Sequence, residues 1–121
     1  MVRTAVNPFK GIPCVFQPQG TTVVVLTCIP FREGYYATRF NVLKLCLASL
    51  LKHTDTPFDL LVFDNGSVPE VVQFLVRLRD EGKIQYLLLS EKNIGYLPAL
   101  NTAFAAAPGE VIAYSDDDVF F

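Results

Sequence analysis

With 121 residues, 51% of them hydrophobic and 18% charged, the chain is one domain at most and large enough for a packed core. A formal net charge of −2 gives no electrostatic case for a nucleic-acid partner. No apolar stretch approaches the ~20 residues of a membrane span. Cys14, Cys28 and Cys46 are odd in number and lack metal-ligand spacing, so reduced thiols in a cytoplasmic setting are expected.

Residues 1–21 read as an irregular leader. Asn7-Pro8, Ile12-Pro13 and Gln17-Pro18 each favour extended geometry, and there is no apolar run of a signal peptide. Thr22 to Ile29 is a continuous β-branched run, the pattern of a strand buried on both faces. Pro30 stops it and a loop follows to Gly34. From Ala37 to His53, Phe40, Leu43, Leu47, Leu50 and Leu51 recur at three- and four-residue steps and predict a helix with one buried stripe. His53, in its last turn, fits a helix-end charge rather than a catalyst.

Phe58 to Phe63 predicts the second strand, ending in the polar turn Asp64-Asn65-Gly66-Ser67. A second helix opens at Val68-Pro69-Glu70 with Ser67 as its expected N-cap. Val71, Val72, Leu75 and Leu78 form its apolar face, and Gly82 closes it. Ile84 to Leu89 is the third strand, and Ser90 to Gly95 a loop. Tyr96 to Ala107 is a third, alanine-rich helix that ends at Pro108-Gly109. Glu110 to Ser115 is the fourth strand.

That strand runs straight into Asp116-Asp117-Asp118. Neighbouring carboxylates repel one another unless something positive sits among them. Hard oxygen ligands on one short turn suit magnesium or manganese, ions that commonly bridge to phosphate oxygens. The bland alternative is a solvated acidic turn. Strand-helix alternation, repeated and closed by a strand, implies an α/β fold: a Rossmann-like three-layer sandwich around a parallel sheet. In such sheets ligands bind beyond the carboxyl ends of the strands. Pro30–Gly34, Asp64–Ser67, Asn93–Gly95 and Asp116–Asp118 should therefore meet at one edge.

Several stretches, in this order and spacing, resemble the nucleotide-binding half of a family 2 glycosyltransferase of the GT-A fold. They are the strand-Pro opening at Val23–Pro30, FDLLVFDNGS at 58–67, NIGYLPALNTAF at 93–104 and APGEVIAYSDDD at 107–118. The resemblance covers residues 22–121 and implies a truncated GT-A domain, with the acceptor half and the general base expected beyond Phe121. It implies transfer of a sugar, with inversion, from a nucleotide-diphosphate donor to an acceptor hydroxyl, aided by Mg or Mn. Asp64 then matches the carboxylate that accepts a hydrogen bond from the base ring, which favours a UDP-sugar, since uracil offers a ring N–H.

The same resemblance places Pro30 and Glu33 along the nucleoside, where relatives usually carry an Asn near the position of Arg32. It puts Asn93 and Gly95 below the nucleotide, and Asn101 at a polar position of the following helix. Asp118 matches the direct metal ligand, with Asp116 or Asp117 meeting ribose or metal-bound water. A cytoplasmic enzyme, able to sit peripherally at an inner membrane face, is the implied setting. The strand ending in Tyr114 should leave a sheet edge uncovered.

Other classes fit less well. A haloacid-dehalogenase-like phosphatase would place its Asp-x-Asp after the first strand. A nucleotidyltransferase would carry a glycine-rich basic loop there, and a nicotinamide-dinucleotide domain a G-x-G-x-x-G. A non-catalytic nucleotide-binding module stays open beside the enzyme.

Overall fold

Stiff β-branched side chains make Thr21–Thr27 a strand, β1. In the computed structural model, which describes residues 18–121, Thr22 to Thr27 are all buried, so both faces of β1 are covered. The leader expected at 1–21 lies almost wholly outside the described residues, as does Cys14.

A single 3-10 turn at Gly34–Tyr36 precedes helix α1 (Arg39–His53). Then come β2 (Asp59–Asn65), α2 (Pro69–Asp80), β3 (Tyr86–Ser90), α3 (Tyr96–Ala106) and β4 (Val111–Asp116). All strand pairings are parallel, in the order β3-β2-β1-β4. This is the α/β parallel sheet that the alternation predicts.

The period of two in the strands sorts side chains into two cores. Val23, Val25, Leu60 and Val62 pack with Leu43, Leu47 and Leu50 of α1 and Val71 and Leu75 of α2. Val24, Leu26, Leu61 and Phe63 point the other way, onto Ala99 and Ala103 of α3. Helices thus cover both faces, and the third layer rests on alanines small enough for close approach.

Several boundaries differ from the sequence expectation. β1 ends at Thr27, short of Ile29, and α1 begins at Arg39, later than Ala37. β2 runs through Asn65, so Asp64 and Asn65 are strand residues rather than turn residues. Pairing explains it: Asp64 stands opposite Thr27 on one side and Leu89 on the other, so the ladder holds residues of poor strand propensity. Asp116 likewise closes β4, beyond the expected Ser115. Ser67 does not cap α2. Val68 is the N-cap, and Ser67 Oγ instead accepts the Ile29 N–H at 2.8 Å, tying the exit of β1 to the exit of β2.

From β1 the chain steps outward through β2 to β3, then α3 returns it over the opposite face to β4, on the far side of β1. The strand order therefore reverses between β1 and β4. Loops leaving two such neighbours part to opposite faces and open a crevice at their carboxyl ends. β4 is a sheet edge, with Val111 58% and Ile112 38% exposed. Among the described residues no helix is long and apolar enough to cross a membrane.

Candidate functional site

A cleft of about 310 Å³ sits at that reversal point. Thr27 and Cys28 from the end of β1, Asn65 from β2, and Asp116 and Asp117 from β4 contribute to its lining. Tyr35, Tyr36, Tyr96 and Tyr114 add aromatic surface, Asn93 an amide and Arg39 a guanidinium.

The wall between β2 and α3 is a hydrogen-bonded unit. Asn65 Nδ2 donates to Asn93 Oδ1 at 3.1 Å and to the Gly95 carbonyl at 3.2 Å, while Asn65 Oδ1 accepts the Ile94 N–H at 2.9 Å. The Gly95 N–H donates to Asn93 Oδ1 at 2.8 Å. Gly66, at φ +87°, lets the loop press against it: a Cβ there would lie 2.8 Å from the Asn93 backbone nitrogen. Only glycine meets both demands.

Asp64 lies within the same strand end but is wholly buried. Its Oδ2 accepts the Ser67 N–H at 3.1 Å, whereas Oδ1 is buried without a protein partner. Burial pushes its carboxyl above the ordinary aspartate value, and bonds from Ser67 and Gly66 pull partly back. A buried carboxylate oxygen left unpaired is costly in a purely structural role.

The opposite wall is charged. Asp117, also buried, accepts the Thr27 hydroxyl on Oδ2 at 2.8 Å and Arg39 Nη2 on Oδ1 at 2.6 Å. Arg39 Nη1 reaches Asp118 at 3.4 Å. The positive group that three adjacent carboxylates call for is therefore Arg39, from the first turn of α1. Burial raises the Asp117 carboxyl, opposed by the Thr27 bond and by Arg39. Asp116 is exposed and accepts the Tyr114 hydroxyl at 2.6 Å. Burial, then Asp116 itself, pushes that phenol above its usual range. Cys28 lies near both walls: burial first, then Asp64 and Asp117, raise its thiol and suppress the thiolate.

The carboxyl ends of β2 and β4 thus share one edge, and Asn93, Asp116 and Asp117 meet in one cleft. The expectation that Asp64 and Asp118 both open onto that cleft needs correcting: Asp64 is covered, and Asp118 flanks it through Arg39. Gly95 acts through its backbone. Pro30, Glu33 and Asn101 are not among the lining residues, and the latter two are exposed. Arg32 pairs with Glu70, and its guanidinium carbon lies 4.9 Å from the Phe40 ring centre. Arg39, Asn65, Thr27 and the four tyrosines were not singled out from the sequence. Spacing could not reveal them, since Arg39 and Asp117 are 78 positions apart.

The class of structure is thus an α/β parallel sheet with helices on both faces, whose reversal point opens a polar, tyrosine-lined cleft at an acidic strand end. The model of "Glycosyl transferase family 2" matches residues 28–121, and the chain belongs to that family. An uncharacterized glycosyltransferase of Nostoc sp. (strain PCC 7120) is 30% identical over 79 residues, covering 64% of this chain and 24% of that protein. S. aureus TarS 1–349, solved in complex with UDP-GlcNAc, is 25% identical with a TM-score of 0.62, over 81% of this chain and 26% of the other. The mannosyltransferase PcManGT from Pyrobaculum calidifontis, in complex with GDP-Man and Mn2+, shares the fold at 22% identity and TM-score 0.63, over 93% of this chain and 33% of that one. The chain spans about a quarter or less of the curated relatives it matches.

Proposed function

We propose that the cleft binds a nucleotide-diphosphate sugar, with a UDP-sugar favoured, and that the protein transfers the sugar to an acceptor hydroxyl with inversion. The observation that carries this reading is the meeting of Asn65, Asn93, Asp116 and four tyrosines at the strand-order reversal. Tyrosine rings offer flat apolar faces for a base or a sugar. TarS, solved with UDP and with UDP-GlcNAc, supports a uridine donor.

Asp64 is assigned the base contact. Its unpaired Oδ1 is an acceptor in want of a donor, and the ring N–H of uracil is one. Asp64 is wholly buried, so that bond requires neighbouring side chains to move aside; Cys28, which lines the cleft 3.6 Å from Asn93 Nδ2, is one of its neighbours. Pro30 and Glu33, in the loop after β1, and Asn101 on α3 lie outside the cleft lining, and their assignment to the nucleoside rests on the family resemblance alone. Asn93 and Gly95 form the floor. The acceptor hydroxyl needs a general base within hydrogen-bond reach, a role to which no residue of the cleft is assigned.

Asp118 and Asp116 fit a divalent cation in part. Among the described residues no three His, Cys, Asp or Glu side chains converge as a full cage. Magnesium, however, needs only one or two carboxylates beside waters and phosphate oxygens. Asp118 is half-exposed and held by one long contact, so it is free to turn; Asp117 has both oxygens engaged and is not. When bound, Mg or Mn would act as a Lewis acid on the departing diphosphate.

Isothermal titration of UDP, GDP and uridine, followed by a sugar-transfer assay with UDP- and GDP-sugars, tests the proposal. Saturable UDP binding by this chain is expected, with transfer from a UDP-sugar when the assay is run on a protein that also carries an acceptor half and its general base. Binding without transfer by that longer protein would favour a nucleotide-binding module, and no nucleotide binding would refute both readings.

A further inference from the structure

The charge inside the cleft raises a problem that the donor reading does not solve. A diphosphate brings negative charge to a place already occupied by Asp116, Asp117 and the adjacent Asp118. Among the described residues, Arg39 is the one cationic side chain lining the cleft. It is set there by a buried bond and a partly buried one: Thr27 Oγ1 donates to Asp117, and Asp117 receives Arg39 Nη2 at 2.6 Å. The Arg39 side chain is only 22% exposed, and its planar guanidinium carries more N–H donors than these contacts use.

Its two acidic contacts are unequal. The bond to Asp117 is short and nearly buried, while that to Asp118 is 3.4 Å long with Asp118 half-exposed. The long contact is the one that yields, because it is weakly formed and water competes for both partners. When Asp118 turns away, Nη1 loses that acceptor while Asp117 keeps its hold on Nη2. Arg39 also opens α1, where no side-chain hydrogen bond caps the helix, so the amide N–H groups of the first turn add positive potential at the same point.

We propose that Arg39 is a diphosphate-binding residue of the cleft, positioned by Asp117 and released toward the ligand by Asp118. The proposal rests on the donor reading above and adds to it a protein cation that works beside, and independently of, any divalent ion. A planar fork of N–H groups matches phosphate oxygens better than an ammonium does, so Arg39→Lys is not a neutral change. Asp117 then serves as a positioning residue rather than as a contact to ribose or metal.

The test compares UDP with uridine, by calorimetry in EDTA, on wild-type protein and on Arg39→Ala, Arg39→Gln and Arg39→Lys, each first shown folded by thermal unfolding. The ratio of UDP to uridine affinity should fall about tenfold to a hundredfold in Arg39→Ala, the size of a lost charge-assisted bond. Uridine affinity should move less than about twofold, and Arg39→Lys should recover part of the loss. A role confined to holding the acidic turn together would lower stability and leave the ratio alone. If Arg39→Ala does not fold, Arg39→Gln, which keeps a donor to Asp117 without the charge, gives the same reading. A wild-type ratio in either folded variant overturns the proposal and leaves the donor site standing. Wild-type protein that binds neither UDP nor uridine overturns the donor site and this role together.

Discussion

On the β2–α3 side of the cleft, Asn65, Asn93 and Gly95 are joined by neutral amide bonds of 2.8–3.2 Å. On the β4–α1 side, Thr27, Arg39 and the aspartates are joined mainly through charge. The two walls face the same space with opposite physical habits. Neutral amide bonds change little with salt or pH, and each one here fixes a neighbour's orientation, so the β2–α3 wall is set before any ligand arrives. On the charged side the long, half-exposed contact of Arg39 to Asp118 is open to an incoming ion, while the nearly buried contacts of Asp117 are screened much less and hold. On the proposed function, the first wall is the floor for the nucleoside and the second the cradle for its phosphates.

The rigid wall is where substitution should do most damage. Gly66→Ala forces a Cβ against the Asn93 backbone and a side chain into a left-handed conformation. A loss of about 2–5 kcal/mol in denaturant unfolding is expected, from strain and overlap together. Gly82→Ala has similar positive φ but no atom within 4 Å, so about 1–2 kcal/mol is expected there. Equal losses at the two sites would mean the β2–α3 wall is softer than its contacts imply.

On the charged wall, function and stability should separate. Asp118→Ala should remove the manganese- or magnesium-dependent part of UDP binding while changing stability by less than about 0.5 kcal/mol, because its ion pair is half-exposed. Asp117→Ala should do the reverse. It strands Thr27 and Arg39 at a cost of about 1–3 kcal/mol, with milder effect on the metal-dependent binding. Calorimetry with and without metal, beside urea unfolding, would expose the crossover, and parallel losses in both variants would remove the distinction.

A smaller effect concerns pH. The folded-state value of Asp64 is raised by burial above its ordinary one, so between the two the folded chain binds more protons than the unfolded. Stability contributed by this group therefore rises as pH falls through that window, and is lost again as pH climbs past the folded value. Asp64→Asn should flatten this component of a melting-temperature series taken from neutral to mildly acidic pH. An unchanged slope would show that Asp64 does not carry a buried charge.

Much of this architecture was readable because it depends on short-range pattern. The β-branched run of β1, the helical stripe of Phe40, Leu43, Leu47 and Leu50, and the strand leading into Asp116 each state their own structure. Convergence of the strand ends followed from parallel pairing alone. What escaped was the long-range pairing of polar groups. Arg39 looks like any charged residue at a helix start until Asp117 is beside it. Asn65 looks like a turn residue until the ladder extends through it and places its amide between Asn93 and Gly95. Ser67 has the residue type of an N-cap, yet its hydroxyl is used by Ile29, which no local rule anticipates.

In the proposed complex a nucleoside diphosphate lies between the two walls with Asp64 reading its base. Titrating UDP and CDP separately into the wild-type protein tests this most directly, because cytosine lacks the ring N–H that Asp64 Oδ1 is assigned to accept. The phosphates and ribose are identical, so the charged wall contributes equally to both. UDP should bind more tightly by about 1–3 kcal/mol, roughly five- to a hundredfold, and Asp64→Asn should narrow that gap. Equal affinities for the two nucleotides, or no binding of either, would contradict it.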